Sequence, residues 1–370
     1  MTNDSRKSVP LSQDAVQMIR GLIIGEVVTV AIIGGLWLWL RPRLQVDNGA
    51  FSAGRGTATS SALAASNFNN VKNIPIGAFN YGGSTAWAPI RQLVDSQIQV
   101  TRPELQLRYV NPPNTSPGSG SGIRMLLDGQ LDFTQSSRPL TDEEKNLAQQ
   151  RGFVLEERQV GIDGVAVVVN PALKVPGLTV DQLQKIYSGE ITNWKEVGGT
   201  DIPITPFSQN PENADVVLIS GKQVLAKQSL GSNVQYVYST TEALRRVNQT
   251  PGGLYYASAR GIVYQCLVKP LPLGVTSAQL IPPYREPLVP ANECPQKRNQ
   301  LNTEAIKNGS YPAIAKLFVI IKQNQGKEQQ VGEAYTRLLA TEQGQKAIEQ
   351  AGLIPEMSQQ PVARGQGRKF

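Results

Sequence analysis

Strand-like and helix-like patterns of apolar residues alternate along the chain from Ile74 onward. Short apolar or alternating runs predict strands, and apolar residues spaced three or four apart predict helices between them. The predicted strands are 74–83, 104–111, the end of 119–133 and 163–170, and the predicted helices are 84–100, the start of 119–133 and 179–190, the last with Thr179 as its N-cap. This β-α-β-α order predicts an α/β fold with a mostly parallel sheet.

One apolar stretch near the N-terminus is long enough to cross a bilayer. Between Arg20 and Arg41 lie 20 residues with one charge, Glu26, and a helix of that length spans a hydrocarbon core of about 30 Å. We therefore expect an uncleaved transmembrane anchor over 19–40, preceded by a short segment, 1–18. A cleaved signal peptide is the alternative, but its apolar region would be unusually long.

The segments on either side of the predicted folded part are polar or basic. The stretch 41–73 is rich in small and polar residues from residue 47 onward, and this composition predicts a flexible linker. The tail 358–370 is predicted to be disordered and basic. Of the net charge of +7, these two flanks (1–73 and 358–370) carry +3 each, which leaves +1 for 74–357. A broad cationic face for nucleic acid is therefore not indicated.

The composition excludes several kinds of catalytic centre. The chain has no histidine and two cysteines, which excludes Ser-His-Asp and Cys-His pairs, histidine-ligated metals and unaided Cys-rich metal sites. The phosphate loop of nucleotide-binding enzymes is also missing. Asp128, Asp132 and Asp163 could serve in acid–base chemistry, but carboxylates scattered on a strand and a helix are usually structural. We predict no enzyme activity, no cofactor and no metal.

Three turns rich in glycine, serine and threonine stand where helices are predicted to begin. They are 82–85, 118–122 and 136–139. Each can direct backbone N–H groups and hydroxyls to one spot beside a positive helix end, which suits a small anion. Arg138 adds a bidentate donor to the third turn. Simple helix capping and turn formation remain the alternative for each turn taken singly.

The two cysteines, Cys266 and Cys294, flank a proline-rich stretch. Outside the cytoplasm an even number of cysteines indicates a disulfide, and two free buried thiols are the alternative. A loop closed over 28 residues would contribute on the order of 3 kcal/mol of stability in the chain-entropy model.

A series of segments between 74 and 355 matches, in order, the motifs of one protein family. They are GGSTAWAPI (82–90), GSGSGIRMLLDGQLDFTQSSRPLTDEE (118–144), VGIDGVAVVVNP (160–171), LTVDQLQKIYSGEITNWKEVGG (178–199), GGLYYASARG (252–261), NGSYPAIAKLFVIIK (308–322) and TEQGQKAIEQAGLIP (341–355). On these segments the chain resembles the phosphate-binding subunit family of ABC importers, within the type II periplasmic binding-protein superfamily.

The resemblance implies two α/β lobes joined by hinge strands, with the ligand held in the cleft between them. The solute-binding domain would be 74–357, with lobe 1 over about 74–161 and 316–355 and lobe 2 over about 162–315. Carried over residue by residue, the lobe-1 ligand groups are Ser84, Thr85, Ser119, Gly120, Ser137 and Arg138. In some family members a carboxylate stands at the position of Ser137 and accepts the proton of the ligand.

The predicted lobe-2 loop departs from the family pattern. Where the family has an arginine followed by Ser-Gly-Thr, this chain has Ser208 or Gln209 followed by ENA (212–214). If Glu212 points into the cleft, its charge would repel phosphate. If it only occupies the first helical turn after Pro211, Ser208 and Gln209 remain available as donors. Both alternatives stay open.

These inferences together predict a membrane-anchored solute-binding protein on the periplasmic or extracytoplasmic side of the inner or plasma membrane. It would capture an oxyanion, phosphate first, for ABC-type uptake or sensing. The implied partners are inorganic phosphate or another small oxyanion, an ABC permease or membrane sensor, and the membrane through the N-terminal helix, but no nucleic acid. The alternative is a relative with altered specificity, which binds another small molecule or a protein.

Overall fold

The computed structural model of the chain describes residues 67–211, 219–220, 223–224 and 230–356. The predicted anchor (19–40), the tail (358–370) and Glu212 lie outside the described residues. No helix within the described part of the chain has both the length and the apolar character needed to cross a membrane.

Fifteen strands lie within the described residues. They are β1 (Gly77–Gly83), β2 (Leu105–Tyr109), β3 (Phe133–Ser136), β4 (Val154–Val169), β5 (Leu178–Thr179), β6 (Thr205–Gln209), β7 (Ile219–Ser220), β8 (Gln223–Val224), β9 (Gln235–Val237), β10 (Gly253–Ser258), β11 (Lys269–Leu271), β12 (Leu273–Thr276), β13 (Gln279–Ile281), β14 (Ile314–Gln323) and β15 (Ile354–Pro355).

Helices connect most of these strands. Within the described residues they are α1 (Ala88–Ile90), α2 (Ser96–Thr101), α3 (Ser119–Leu127), α4 (Asp142–Gln150), α5 (Val180–Ser188), α6 (Thr240–Gln249), α7 (Ala259–Ile262), α8 (Thr303–Lys307), α9 (Lys327–Leu339) and α10 (Glu342–Gln350), with 3₁₀ turns at Phe68–Asn70, Thr85–Trp87 and Trp194–Val197 and a π-helical turn at Arg91–Asp95. The π-helical turn joins α1 to α2 without a break, so the helix predicted over 84–100 is present as one irregular helix. Thr179 caps α5 as predicted, since its side chain accepts a hydrogen bond from the N–H of Gln182.

One ten-stranded sheet runs through the domain. Its order is β2-β1-β3-β14-β4-β10-β6-β9, and β11 and β15 also pair with β4. β1 is parallel to β2 and β3, and β6 is parallel to β9 and β10. β14 and β10 run antiparallel to β4. The predicted α/β class is confirmed, but the sheet is mixed because the central strands are antiparallel.

The long strand β4 belongs to both halves of the sheet. Its first part pairs with β14 as far as Gly164, which lies opposite Ile314. From Val165, opposite Ser258, it pairs with β10 instead. The chain therefore crosses between two α/β lobes within one strand, and the two-lobed fold implied by the resemblance is confirmed.

Separate hydrophobic cores accompany the two parts of β4. Val160 and Leu317 belong to the core of the first lobe, whereas Ile162 and Ala315 belong to that of the second. Phe68 is fully buried in the first core and Val71 is nearly so. The chain is thus packed several residues before 74, so the prediction of a flexible linker as far as 73 is wrong for Phe68 and Val71.

A small sheet of β5, β12 and β13 lies in the second lobe. Cys266 and Cys294 of this lobe are joined by a disulfide, with their Cα atoms 5.7 Å apart.

Candidate functional site

Three serine side chains from the three glycine-rich turns meet in the first lobe. The Ser137 Oγ lies 2.9 Å from the Ser84 Oγ and 3.3 Å from the Ser119 Oγ. The backbone N–H of Ser137 also donates to the Ser119 Oγ over 3.0 Å. All three serines are buried, with at most 2% of their surface exposed. The structure therefore brings together the three turns that were predicted to suit a small anion.

Close backbone packing holds the serine cluster (Ser84, Ser119 and Ser137) together. β1 and β3 are parallel neighbours with Gly83 opposite Gln135, and the N–H of Ser84 donates to the Gln135 carbonyl over 2.8 Å. Gly83 has a φ of +110°, and a Cβ added there would overlap the same carbonyl. Gly122 of α3 lies directly against Gly83, so only glycine at both positions lets the helix approach the strand.

The first turn of α3 adds backbone donors to this cluster. Ser119 and Gly120 are its first two residues and both are buried. Since the N-terminal N–H groups of a helix have no partner within the helix and carry partial positive charge, this end favours an anion. The cluster therefore combines hydroxyl and amide donors without a formal charge.

Arg138 is engaged by an acidic side chain of the first lobe. Its Nη1 and Nη2 donate to the two carboxylate oxygens of Glu144 over 2.9 and 2.6 Å. Glu144 also accepts the N–H of Thr141 and so completes the capping box of α4. In the structure, the guanidinium therefore stabilises the start of α4, and its role as an anion donor stays a prediction.

A second arginine, which the sequence analysis did not select, lies next to the serine cluster. The Arg91 Nη1 donates to the Ser84 carbonyl over 2.8 Å and to the Gln135 Oε1 over 3.0 Å. Its guanidinium carbon lies 4.1 Å from the centre of the Tyr109 ring. One feature of the sequence could have drawn attention to Arg91: it is the only charged residue between Ser84 and Val94.

A buried carboxylate behind the cluster fixes the aromatic core of the first lobe. Asp95 accepts hydrogen bonds of 2.7 Å from the hydroxyls of Tyr81 and Tyr335, and Gln135 donates to Tyr335 over 2.8 Å. Burial raises the pKa of Asp95 to about 6, although both tyrosine hydrogen bonds and the charge of Arg91 favour the ionised form. This network links Gln135, which faces the cluster, to α9.

A cavity of about 360 Å³ lies beside the serine cluster. Its lining comes from both lobes: Thr85, Ala86, Ala88, Pro89, Ser208, Gln209, Thr240, Tyr255, Tyr256, Ala257, Ser258, Arg260 and Gly261. Three of the predicted ligand residues, Thr85, Ser208 and Gln209, thus face one space. Ser84, Ser119 and Ser137 lie outside this lining.

The second-lobe wall of the cavity is built on the carboxyl ends of β6 and β10. Ser208 and Gln209 end β6 and are buried, and the Ser208 Oγ donates to the Gln209 carbonyl over 2.9 Å. The hydroxyls of Thr240 and Tyr255 lie 3.2 Å apart. This wall is rich in hydroxyl groups and aromatic rings.

The three aspartates considered for acid–base chemistry occupy different environments. Asp128 forms a surface ion pair of 2.8 Å with Arg151, and Asp132 accepts the N–H of Asn80 over 2.7 Å. Asp163 is buried in β4 at the crossing between lobes, and neither of its carboxylate oxygens has a hydrogen-bond partner in the described part of the chain. Burial raises the pKa of Asp163 to about 7, against smaller opposing effects, among them the charge of Arg260.

Two α/β lobes joined by antiparallel strands, with donors from both lobes around one cavity, define a two-lobed ligand-binding protein. A family model described as a PBP superfamily domain matches residues 57–342. The chain therefore belongs to the PBP superfamily, and its resemblance to the phosphate-binding subunits is confirmed by its relatives.

Similar sequences and folds are found in several bacteria. The chain is 26% identical over 281 residues to the phosphate-binding protein PstS of Staphylococcus haemolyticus. This match covers 74% of this chain and 79% of that protein. It is 29% identical over 180 residues to PstS of Bacillus subtilis, covering 49% and 56% of the two chains.

Two solved structures share the fold. A putative phosphate ABC transporter substrate-binding protein from Clostridium perfringens, with bound phosphate, has a TM-score of 0.54 at 20% identity and covers 75% of this chain and 99% of its own. An ABC-type phosphate transport receptor from Vibrio cholerae has a TM-score of 0.52 at 22% identity and covers 75% and 100%.

Proposed function

We propose that this protein is the phosphate-binding component of an ABC importer, working on the extracytoplasmic side of the membrane and not as an enzyme. The observation that carries the proposal is the convergence of Ser84, Ser119 and Ser137 at the buried start of α3. The names of the relatives from Staphylococcus haemolyticus and Bacillus subtilis point to the same ligand.

The chemistry of the serine cluster suits a dehydrated oxyanion. An anion that leaves water loses its hydrogen bonds and must regain them from the protein. Hydroxyl and amide donors aimed at one point restore these bonds, and hydrogen bonds to a charged oxygen are stronger than neutral ones. A hydroxyl such as that of Ser137 can also accept a hydrogen bond, which a protonated phosphate can donate and sulfate cannot.

Anchoring by residues 19–40 is part of this proposal. A tether would raise the effective concentration of the domain beside a permease or sensor in the same membrane. Fractionation of cells that carry the full chain, or the chain without 19–40, tests it directly. The anchored protein should remain with membranes after washing with salt and carbonate, and the shortened one should be released.

A second candidate is a ligand larger than phosphate. Two observations favour it: the departure from the family pattern at 208–214, and a cavity of about 360 Å³ whose second-lobe wall includes the aromatic rings of Tyr255 and Tyr256. Such a ligand would still place an oxyanion at the serine cluster. The rest of the ligand would contact the hydroxyl groups and aromatic rings of the second-lobe wall.

Isothermal titration calorimetry of the full-length protein, freed of phosphate by dialysis, tests the proposed ligand. We expect saturable binding of phosphate and arsenate and much weaker binding of sulfate. Ser119→Ala should lower phosphate affinity about tenfold, as expected for one lost hydrogen bond to a charged group. Ser96→Ala, at an exposed serine of α2, is the matched control and should bind like wild type. Absence of heat with phosphate at millimolar concentration would refute the proposal.

A further inference from the structure

One cationic side chain lies in the lining of the interlobe cavity. Arg260 is the second residue of α7, directly after β10, and lines the cavity together with Thr85, Ser208 and Gln209. Every other lining side chain in the described part of the chain is uncharged. The cavity therefore has a positive character that comes from the second lobe.

The other arginines near the site are bound to protein groups. Arg138 is held by the carboxylate of Glu144, and Arg91 donates to the Ser84 carbonyl and to Gln135. For Arg260, by contrast, the described residues supply no hydrogen bond or ion pair. Its donors are thus not used by protein acceptors there.

The surroundings of Arg260 limit its movement without satisfying its charge. A Cβ added to Gly352, in the first lobe, would overlap its guanidinium, so the side chain packs closely against this backbone. The nearby acid is Asp163, which is buried and forms no ion pair with it. Since burial raises the pKa of Asp163 to about 7, this carboxyl group compensates the arginine only in part at neutral pH.

We propose that Arg260 supplies the positive charge that holds the bound oxyanion, in place of the arginine that this chain lacks at the end of β6. The inference rests on the proposed function and identifies a residue that determines affinity. A guanidinium presents paired donors that fit two oxygens of a tetrahedral anion, and its charge persists at all physiological pH values. Thr85, which follows Ser84 of the serine cluster, then contributes a neutral donor from the first lobe, and Arg260 contributes charge from the second.

Titration of full-length variants with inorganic phosphate tests this assignment. Arg260→Gln should lower affinity about 10- to 100-fold, the range for losing a hydrogen bond between charged partners. Arg260→Lys should recover part of the loss because it keeps the charge. Arg151→Gln, which removes an exposed arginine of the same charge, is the control and should bind like wild type.

Two further measurements separate binding from folding. Arg260→Gln leaves the carboxyl group of Asp163 without a neighbouring positive charge, which could affect folding. The double variant Asp163→Asn with Arg260→Gln also removes that carboxyl group, and it should show the same loss of phosphate affinity. Phosphate binding by Arg260→Gln should also depend less on salt than that of wild type, which a purely structural role would not produce.

The outcomes distinguish the two proposals. If wild type binds phosphate and Arg260→Gln binds within twofold of it with the same salt dependence, the role of Arg260 is refuted and the proposed function stands. If wild type binds sulfate or molybdate instead of phosphate, the proposed ligand is wrong, and the same variants test Arg260 with that anion. If wild type binds no oxyanion, both fail.

Discussion

Replacing Asp163 with asparagine should change how the stability of this protein depends on pH. The carboxyl group is 2% exposed, and no donor among the described residues reaches its oxygens in good hydrogen-bond geometry. Burial raises its pKa from an ordinary 3.8 to about 7, although weak donation from Ser258 and the Gly164 backbone and the charge of Arg260 favour ionisation. The folded protein therefore keeps a proton that the unfolded chain releases.

The sign and size of the effect follow from this difference. Between about pH 4 and pH 7 the folded state binds more protons than the unfolded state, so the free energy of unfolding falls as pH rises through this window. A difference of about 3 pKa units corresponds to a loss of about 4 kcal/mol at most. Asp95, whose pKa is raised to about 6, also lowers the free energy of unfolding as pH rises. Its contribution is the same in wild type and variant, so it cancels in the comparison.

Urea unfolding of the full-length protein, followed by circular dichroism at pH values from 4.5 to 8, measures this difference. Near pH 4.5 the two proteins should differ by less than about 1 kcal/mol, because protonated Asp163 and asparagine are both neutral. At pH 8 Asp163→Asn should be the more stable by about 1–4 kcal/mol. Asp128→Asn, which breaks the surface pair with Arg151, is the control and should change the free energy of unfolding by less than about 1 kcal/mol. A constant difference between wild type and Asp163→Asn at every pH would refute the reasoning.

Three further predictions concern packing, an ion pair and the disulfide, each measured by urea unfolding. Gly122→Ala should destabilise the protein by about 1–3 kcal/mol although alanine favours helices, because its Cβ would overlap the neighbouring strand; Gly261→Ala, where the space is open, should not. Glu144→Gln should cost about 3 kcal/mol because it leaves a largely buried arginine unpaired. Changing Cys266 and Cys294 to alanine should cost about 3 kcal/mol and leave phosphate affinity unchanged.

The secondary structure was predictable where one periodicity dominates a segment. The buried second half of β4 was predicted over 163–170 because its apolar residues are continuous. Its first half was missed, since Val154–Gln159 mixes exposed, half-buried and buried positions and carries the charges of Glu156, Glu157 and Arg158. The packed Phe68 was missed because it stands in a stretch of small polar residues, where composition predicts a linker.

The candidate site was predictable as far as local turn chemistry reaches. The serines could be selected because their turns start helices. The pairing of Arg138 with Glu144, which also completes the capping box at Thr141, was not predicted. Asp95 could not be identified, because one of its two tyrosine partners, Tyr335, lies 240 positions away in the chain. Partners this distant come together only through the order of strands in the sheet.

Arg260 illustrates the same limit for the proposed site. In the sequence it lies within a segment that matches the family, GGLYYASARG (252–261), and nothing local distinguishes it from a surface arginine. Only the switch of β4 from β14 to β10 brings it beside Thr85 of the other lobe, at the cavity that both lobes line. An anion that contacts Thr85 and Arg260 together would favour the arrangement in which both walls of the cavity face it, since a ligand shifts a protein toward the state it binds best. Splitting neutral donors and charge between two lobes in this way would couple ligand capture to closure, which is the property that a binding protein needs to present a loaded state to its membrane partner.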